Sequence, residues 1–255
     1  MKNKKFFFSI VTPSLNSKKF IKETFDSIYQ QKFKNFEHIV VDGNSTDGTK
    51  KILFELKKKY KFKLIIKKDK SMYQALKYGF RICKGKYFYW LNSDDFFANS
   101  FSLLNLYNFL KKNKYNWVNG RTAILYQEKN KLIKWIPLFY PRFILQNGWH
   151  HKCAWGFVQQ ENVIFSKKLY NKVGGLNSEF KLAGDHNLWI KFSKYDKLIP
   201  INIEISVHRK WKKQLTNNLK TYYLEIKKKQ CDFSIFYPLR FLFSLLYFPI
   251  VYFRK

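Results

Sequence analysis

Asn92-Ser93-Asp94-Asp95 is the stretch of this chain whose residue types are best suited to chemistry. It follows an apolar run, Tyr87-Phe88-Tyr89-Trp90-Leu91, that reads as a buried parallel strand. The carboxyl ends of such strands line the crevice in which open α/β sheets bind ligands. Two adjacent carboxylates repel, and each costs free energy when desolvated alone. A hard divalent cation such as Mg²⁺ or Mn²⁺ removes that cost and shares its oxygen ligands with phosphates. Asp94-Asp95 therefore marks either a metal–phosphate site or, more simply, the N-cap of a following helix.

The elements that would position these acids alternate through the first half of the chain. Strands are expected at residues 6–11, 37–42, 63–66 and 86–91, with Thr12-Pro13 ending the first. Helices are expected at 18–31, capped by Asn16 or Ser17, and at 49–60, 72–83 and 101–112. Strand–helix repeats of this length imply an α/β fold with a doubly wound, mostly parallel sheet and helices on both faces. Right-handed crossovers then bring every strand's carboxyl end to one rim, so Thr12, Asp42, Asp69 and Asp94-Asp95 converge there.

The second half is less regular. Strands are expected at 117–125, 132–136 and 198–207, and helices at 167–173, 185–194 and 215–229, the last of them basic. Residues 137–152 read as an aromatic, Pro-containing loop able to cover a site. The change of pattern divides residues 1–230 into a regular half of about 1–115 and a less regular half of about 116–230. Residues 231–255 form an apolar, aromatic C-terminal segment.

An apolar fraction of 46% is ample for a core and excludes a disordered chain. The formal charge of +32 admits nucleic acid, an anionic membrane surface or phosphorylated substrates as partners. Its lysines are spread along the chain and arginine is scarce, which fits a solvated basic surface better than a specific phosphate or base reader. Cys83, Cys153 and Cys231 show no paired spacing, as expected of a reducing compartment. Adjacent histidines rarely point the same way, so His150-His151-Lys152-Cys153 is not read as a metal cluster. Residues 233–253, broken by Pro238, Arg240 and Pro249, suit a membrane interface or a helix docked on protein better than a full span.

One ordered set of short motifs narrows the function. Thr12-Pro13-x-x-Asn16 is followed by Asp42-x-x-Ser45-x-Asp47-Gly48-Thr49, then by Asp69-x-x-x-Tyr73-x-Ala75-x-x-x-Gly79 and Trp90-Leu91-Asn92-Ser93-Asp94-Asp95. Gln159-Gln160, Val173-Gly174-Gly175-Leu176-Asn177 and Asp185-x-x-Leu188-Trp189 complete it. In this order, over roughly residues 6–216, the chain resembles family 2 glycosyltransferases of the GT-A fold. The resemblance implies an inverting transfer of sugar from a nucleotide-diphosphate donor to a hydroxyl acceptor, with Mn²⁺ or Mg²⁺ as cofactor. It implies that Asp42 contacts the base, that Thr12 and Pro13 line the base pocket, and that Asp69 sits near the ribose or base. Asp95 would ligate the metal, Asp94 would lie near the ribose or sugar, and Gln160 would lie in the sugar or acceptor region. Asp185 matches the catalytic base, and with Leu188, Trp189 and Phe192 it falls on one helical face at the edge of a cleft. The implied acceptor is a surface polysaccharide or lipid-linked glycan, made in the cytoplasm or at the inner face of the cytoplasmic membrane. Gln74, Lys77 and Gly184 depart from the family's Asp, Asn and acid at those positions, and His208-Arg209-Lys210-Trp211 only loosely represents its distal Arg/His segment. A basic nucleic-acid-binding protein and an inactive subunit of the same fold are the competing readings.

Overall fold

The computed structural model describes residues 5–152, 157–212, 214 and 217–229. The segment 233–253 lies outside them, as do Cys153 and Cys231. No helix among the described residues is long and apolar enough to cross a membrane.

The first half alternates strand and helix: β1 (Phe8–Ser14), α1 (Ile21–Tyr29), β2 (Phe36–Asp42), α2 (Thr49–Lys59), β3 (Lys63–Ile66), α3 (Met72–Arg81) and β4 (Tyr87–Trp90). There follow β5 (Phe96–Phe97), α4 (Ser102–Asn113), β6 (Trp117–Arg121), β7 (Ala123–Tyr126), β8 (Lys131–Lys134), α5 (Arg142–Gln146), β9 (Val163–Ser166) and α6 (Lys167–Lys172). The last elements are α7 (Gly184–Ser193), β10 (Ile199–Glu204), β11 (Ser206–Lys210) and α8 (Leu219–Lys229).

Seven strands form the central sheet in the order β10-β6-β9-β4-β1-β2-β3. All neighbours run parallel except β9, which is antiparallel to both β4 and β6. The GT-A-type, mostly parallel α/β sheet expected from the sequence is thus present. Its inner strands β1, β4 and β9 are buried on both faces, as covered strands must be, while the edge strands β3 and β10 are partly exposed. Val11, Ile39, Val41, Phe88 and Trp90 face a core shared with α3 and α7, while Ile10, Tyr87 and Tyr89 point the other way, toward Leu103, Leu106 and Leu110 of α4. The two-residue period of the strands accounts for that division.

Several boundaries differ from expectation for identifiable reasons. β1 runs through Thr12-Pro13 instead of ending there. Its pairing with β4 stops at Val11↔Trp90, so Pro13 lies beyond that ladder and its missing N–H costs no bond there. α1 starts only at Ile21, with no side-chain cap, because Asn16 and Ser17 are engaged elsewhere. Asn16 Oδ1 accepts from the Thr46 N–H (2.9 Å), and the Ser17 N–H donates to Thr49 Oγ1 (2.8 Å). These bonds stitch the loop after β1 to the loop after β2. The expected strands 117–125 and 198–207 each break in two. β6 and β10 stay in the central sheet, while β7 and β11 enter a second sheet ordered β5-β11-β7-β8. Gly120 permits the close approach of β6 and β10: a Cβ there would lie 2.6 Å from the Ile203 carbonyl oxygen. The expected loop 137–152 contains α5.

Candidate active site

The acid loop is built by its neighbours before its own carboxylates act. Thr24 Oγ1, on α1, lies 3.0 Å from the Ser93 carbonyl oxygen and 2.8 Å from that of Asp95. Ser17 and Ser93 hydroxyls meet at 2.6 Å. Asn92 is the hub: its Oδ1 accepts from the Trp90 indole (2.7 Å), while its Nδ2 donates to Asp95 Oδ2 (3.0 Å) and to Gln160 Oε1 (3.2 Å). An aspartate at 92 could make neither donation, which explains the amide at the first position of the motif. Gln160 also donates to the Trp90 carbonyl (2.6 Å), so its side chain is spent bracing the end of β4.

Asp95 is fully buried, and its Oδ1 accepts the Arg209 backbone N–H at 2.8 Å. That bond fastens the second sheet to the rim of the first. His208 Nδ1 lies 3.4 Å from both Asp95 Oδ1 and Glu161 Oε1. One ligand atom each from Asp95, Glu161 and His208 falls within 4.8 Å of the others. Glu161 Oε1 and His208 Nδ1 make no hydrogen bond. Burial pushes the Glu161 carboxyl up. Burial alone would lower His208, but Glu161 and Asp95 outweigh it and raise the imidazole. Once the imidazole gives up its extra proton, two buried carboxylates and a ring nitrogen converge as the donor set of a divalent cation. Neither Glu161 nor a ligand role for His208 was anticipated; the only sequence signals were an acid in the polar run Gln159–Asn162 and a histidine in the loosely matched distal segment.

Arg209 spans the same region as a strut. Its guanidinium lies between the rings of Phe20 (4.4 Å) and Phe96 (4.9 Å), pairs with Glu23 (2.6 Å) and donates to the Asp94 carbonyl (2.8 Å). The Asp94 carboxylate accepts from the Trp211 indole (2.9 Å) and the Gln214 amide (3.3 Å). Burial, then the Asp95 charge, pushes the Asp94 carboxyl up to about 6.

Asp185 enters from α7, as that helix's second residue, with Leu188, Trp189 and Phe192 buried beneath it. Burial pushes its carboxyl up to about 6 against hydrogen bonds from the His186 N–H and Tyr73. Tyr73 Oη lies 3.2 Å from Asp185 Oδ1 and 2.6 Å from the Leu182 carbonyl oxygen, and its ring meets Trp90 edge-on at 5.6 Å. Tyr73 thus links the base candidate directly to the end of β4. Gly184 makes room for it: a Cβ there would sit 2.7 Å from two Tyr73 ring carbons. Gly184→Ala is expected to cost about 1–3 kcal/mol by overpacking, read as a lower thermal-unfolding midpoint.

The remaining candidates lie along the same rim. Asp42 ends β2 opposite Ser14 and is buried, its carboxylate accepting the Ser45 N–H (2.8 Å) and hydroxyl (2.7 Å). Pro13 is buried beside it, in register with Val41. Thr12 is also buried, and its hydroxyl turns inward to His38 Nε2 at 3.1 Å. Asp69, between β3 and α3, keeps both carboxylate oxygens screened from solvent without a hydrogen-bond partner. β2 and β4 flank β1, so Asp42 and the acid loop lie at the carboxyl ends of strands on either side of it. Asp42, Asp95 and Asp185 share one rim instead of scattering over separate faces.

With that geometry established, the chain can be set beside known proteins. The family model described as "Glycosyl transferase family 2" matches residues 9–174. A poly(ribitol-phosphate) beta-glucosyltransferase of Bacillus spizizenii is 35% identical over 129 residues, covering 44% of this chain and 20% of the relative. S. aureus TarS 1-349 in complex with UDP-GlcNAc superposes with a TM-score of 0.67 at 17% identity, covering 84% of this chain and 61% of that one. The Pyrobaculum calidifontis mannosyltransferase PcManGT, in complex with GDP-Man and Mn²⁺, gives 0.65 at 17% identity over 95% of this chain and 70% of that one. These likenesses are of fold. The chain spans less than two thirds of the length of curated relatives it matches, 29% of one and 58% of another.

Proposed function

The chain belongs to glycosyl transferase family 2, and from that premise we propose that it moves a sugar from a nucleoside-diphosphate donor to a hydroxyl acceptor with inversion. One observation carries the reading: Asp95, Glu161 and His208 converge in a buried cluster, and Asp185 reaches the same strand end through Tyr73.

Asp42 takes the base, accepting its N–H beside Pro13 and Thr12, and the unpartnered Asp69 oxygens accept from ribose hydroxyls or the base. Asp94 faces the ribose or sugar. Gln160 acts by holding Asn92 and the acid loop. Asp95, Glu161 and His208 would hold a divalent cation, which when bound would supply counter-charge to the departing diphosphate. The nitrogen donor favours Mn²⁺ over Mg²⁺, which prefers an all-oxygen shell. Asp185 removes the acceptor proton as the acceptor oxygen bonds the anomeric carbon and the carbon–oxygen bond to the diphosphate breaks. A carboxyl pushed up to about 6 is ionised at neutral pH yet basic enough for this step. With the base on α7 and the leaving group at the acid loop, a single displacement accounts for inversion. The acceptor class is a surface polysaccharide or lipid-linked glycan, supported by the Bacillus relative's name. A formal charge of +32 supports contact with an anionic membrane surface.

Thermal shift with a panel of nucleoside-diphosphate sugars tests the proposal. One of them is expected to raise the unfolding midpoint in Mn²⁺ and to lose that effect with chelator. Equal shifts with and without metal would contradict the metal site, and no shift with any donor would contradict the proposal.

A further inference from the structure

The helix α8 reads in the sequence as a basic surface element, yet its one acid turns inward. Glu225 Oε1 accepts the Lys181 backbone N–H at 2.7 Å, and its Oε2 accepts those of Leu182 and Ala183, both at 2.9 Å. These are the three residues that lead into α7. Ala183 occupies the N-cap position and has no side chain able to cap. Glu225, from another helix, instead gathers the amides of the N-cap residue and the two before it, and a carboxylate near a helix N-terminus is further favoured by the dipole. The same loop is held from its other side, where Tyr73 lies 2.6 Å from the Leu182 carbonyl oxygen. Ile226, next to Glu225, is buried in the core that contains Leu188 and Trp189, and Tyr222 packs against Phe157. Asp185 follows this clamped loop by two residues.

We infer that Glu225 is a positioning residue: by gathering three amides it fixes the entry of α7 and so the direction in which Asp185 faces the acceptor. The inference rests on the reading of Asp185 as the base. It also gives α8, outside the residues matched by the family model, a role in turnover. Misplacing a catalytic group by about 1 Å can cost on the order of 100-fold in rate, whereas the residues proposed to contact the donor, Asp42, Asp69 and the acid loop, make no hydrogen bond with Glu225.

The test uses the full chain with Mn²⁺ and the donor that gives the largest thermal shift. Glu225→Ala is expected to lower kcat about 10–100-fold, with donor KM and the donor-induced thermal shift changed less than about twofold, and to speed amide exchange at Leu182 and Ala183. Glu225→Gln keeps shape and one carbonyl acceptor, so it is expected to recover most of the lost kcat; it also serves if the alanine variant does not fold. In an Asp185→Asn background, Glu225→Ala should lower the residual rate no further, because it acts only through Asp185. An unchanged kcat despite faster amide exchange, or the same fold-loss in both backgrounds, would overturn the inference. If Asp185→Asn alone left turnover intact, the reading of the base would fail instead, whatever Glu225 does.

Discussion

Asp185→Asn is expected to reduce sugar transfer by about 10²–10⁴-fold, the usual worth of a positioned general base, while donor binding persists. The substitution removes the proton acceptor and keeps the shape that Tyr73 and the α7 entry require. Its effect on stability runs opposite to its effect on rate. Burial raises the Asp185 carboxyl from an ordinary value near 3.8 to about 6, so the folded state disfavours the charged form. That raises stability as pH falls through this window and lowers it at neutral pH. The asparagine variant should therefore melt no lower than the parent at pH 7–8, which separates lost chemistry from lost folding. The wild-type pH profile follows from the same shift. Turnover needs the ionised carboxylate, so kcat/KM should be full above about pH 7 and fall about tenfold per unit below pH 6. A variant that kept parental turnover would refute the assignment, and a profile flat down to pH 5 would contradict the raised carboxyl.

Asp95→Asn is the second large effect. The amide keeps one acceptor for the Arg209 N–H but removes a charge from the cation cluster. Loss of the counter-charge to a departing diphosphate removes several kcal/mol of transition-state stabilisation, on the order of a 10³-fold loss in rate. The Mn²⁺-dependent part of the donor thermal shift should vanish with it. His208→Gln should weaken metal dependence in the same direction, since it removes the nitrogen donor that favours Mn²⁺. If Asp95→Asn retained full Mn²⁺-dependent donor binding, the acid loop would not be the metal site.

The strand–helix alternation of the first half and the rim were legible because each of its strands is a short apolar run ended by a polar turn and followed by an amphipathic helix. Asp42, Asp69 and Asp95 could be placed from that alternation alone. The sheet's one antiparallel strand, β9, was not legible: Val163–Ser166 is four residues long, and its apolar run says nothing of its direction or neighbours. Thr122 and Ile205 hid the passage between sheets for a similar reason, since continuous β-forming sequence carries no mark where its hydrogen-bond partner changes. His208 reaches Asp95 only because β11 pairs with β5 just past the acid loop, a contact of high sequence separation. Glu161 was hidden because its neighbour Gln160 carried the recognisable motif, while the side chain that faces the cluster is the glutamate's. Gly184 read as a missing acid and is better understood as space for Tyr73.

Crystals grown with Mn²⁺ and the bound nucleoside diphosphate, measured at the manganese edge, test the central claim most directly. The account predicts one anomalous peak at coordination distance, roughly 2–2.5 Å, from Asp95, Glu161 and His208, with the diphosphate on its open side and the Asp185 carboxylate across the cleft. A manganese peak away from these three side chains, or bound nucleotide with no metal beside it, would contradict it.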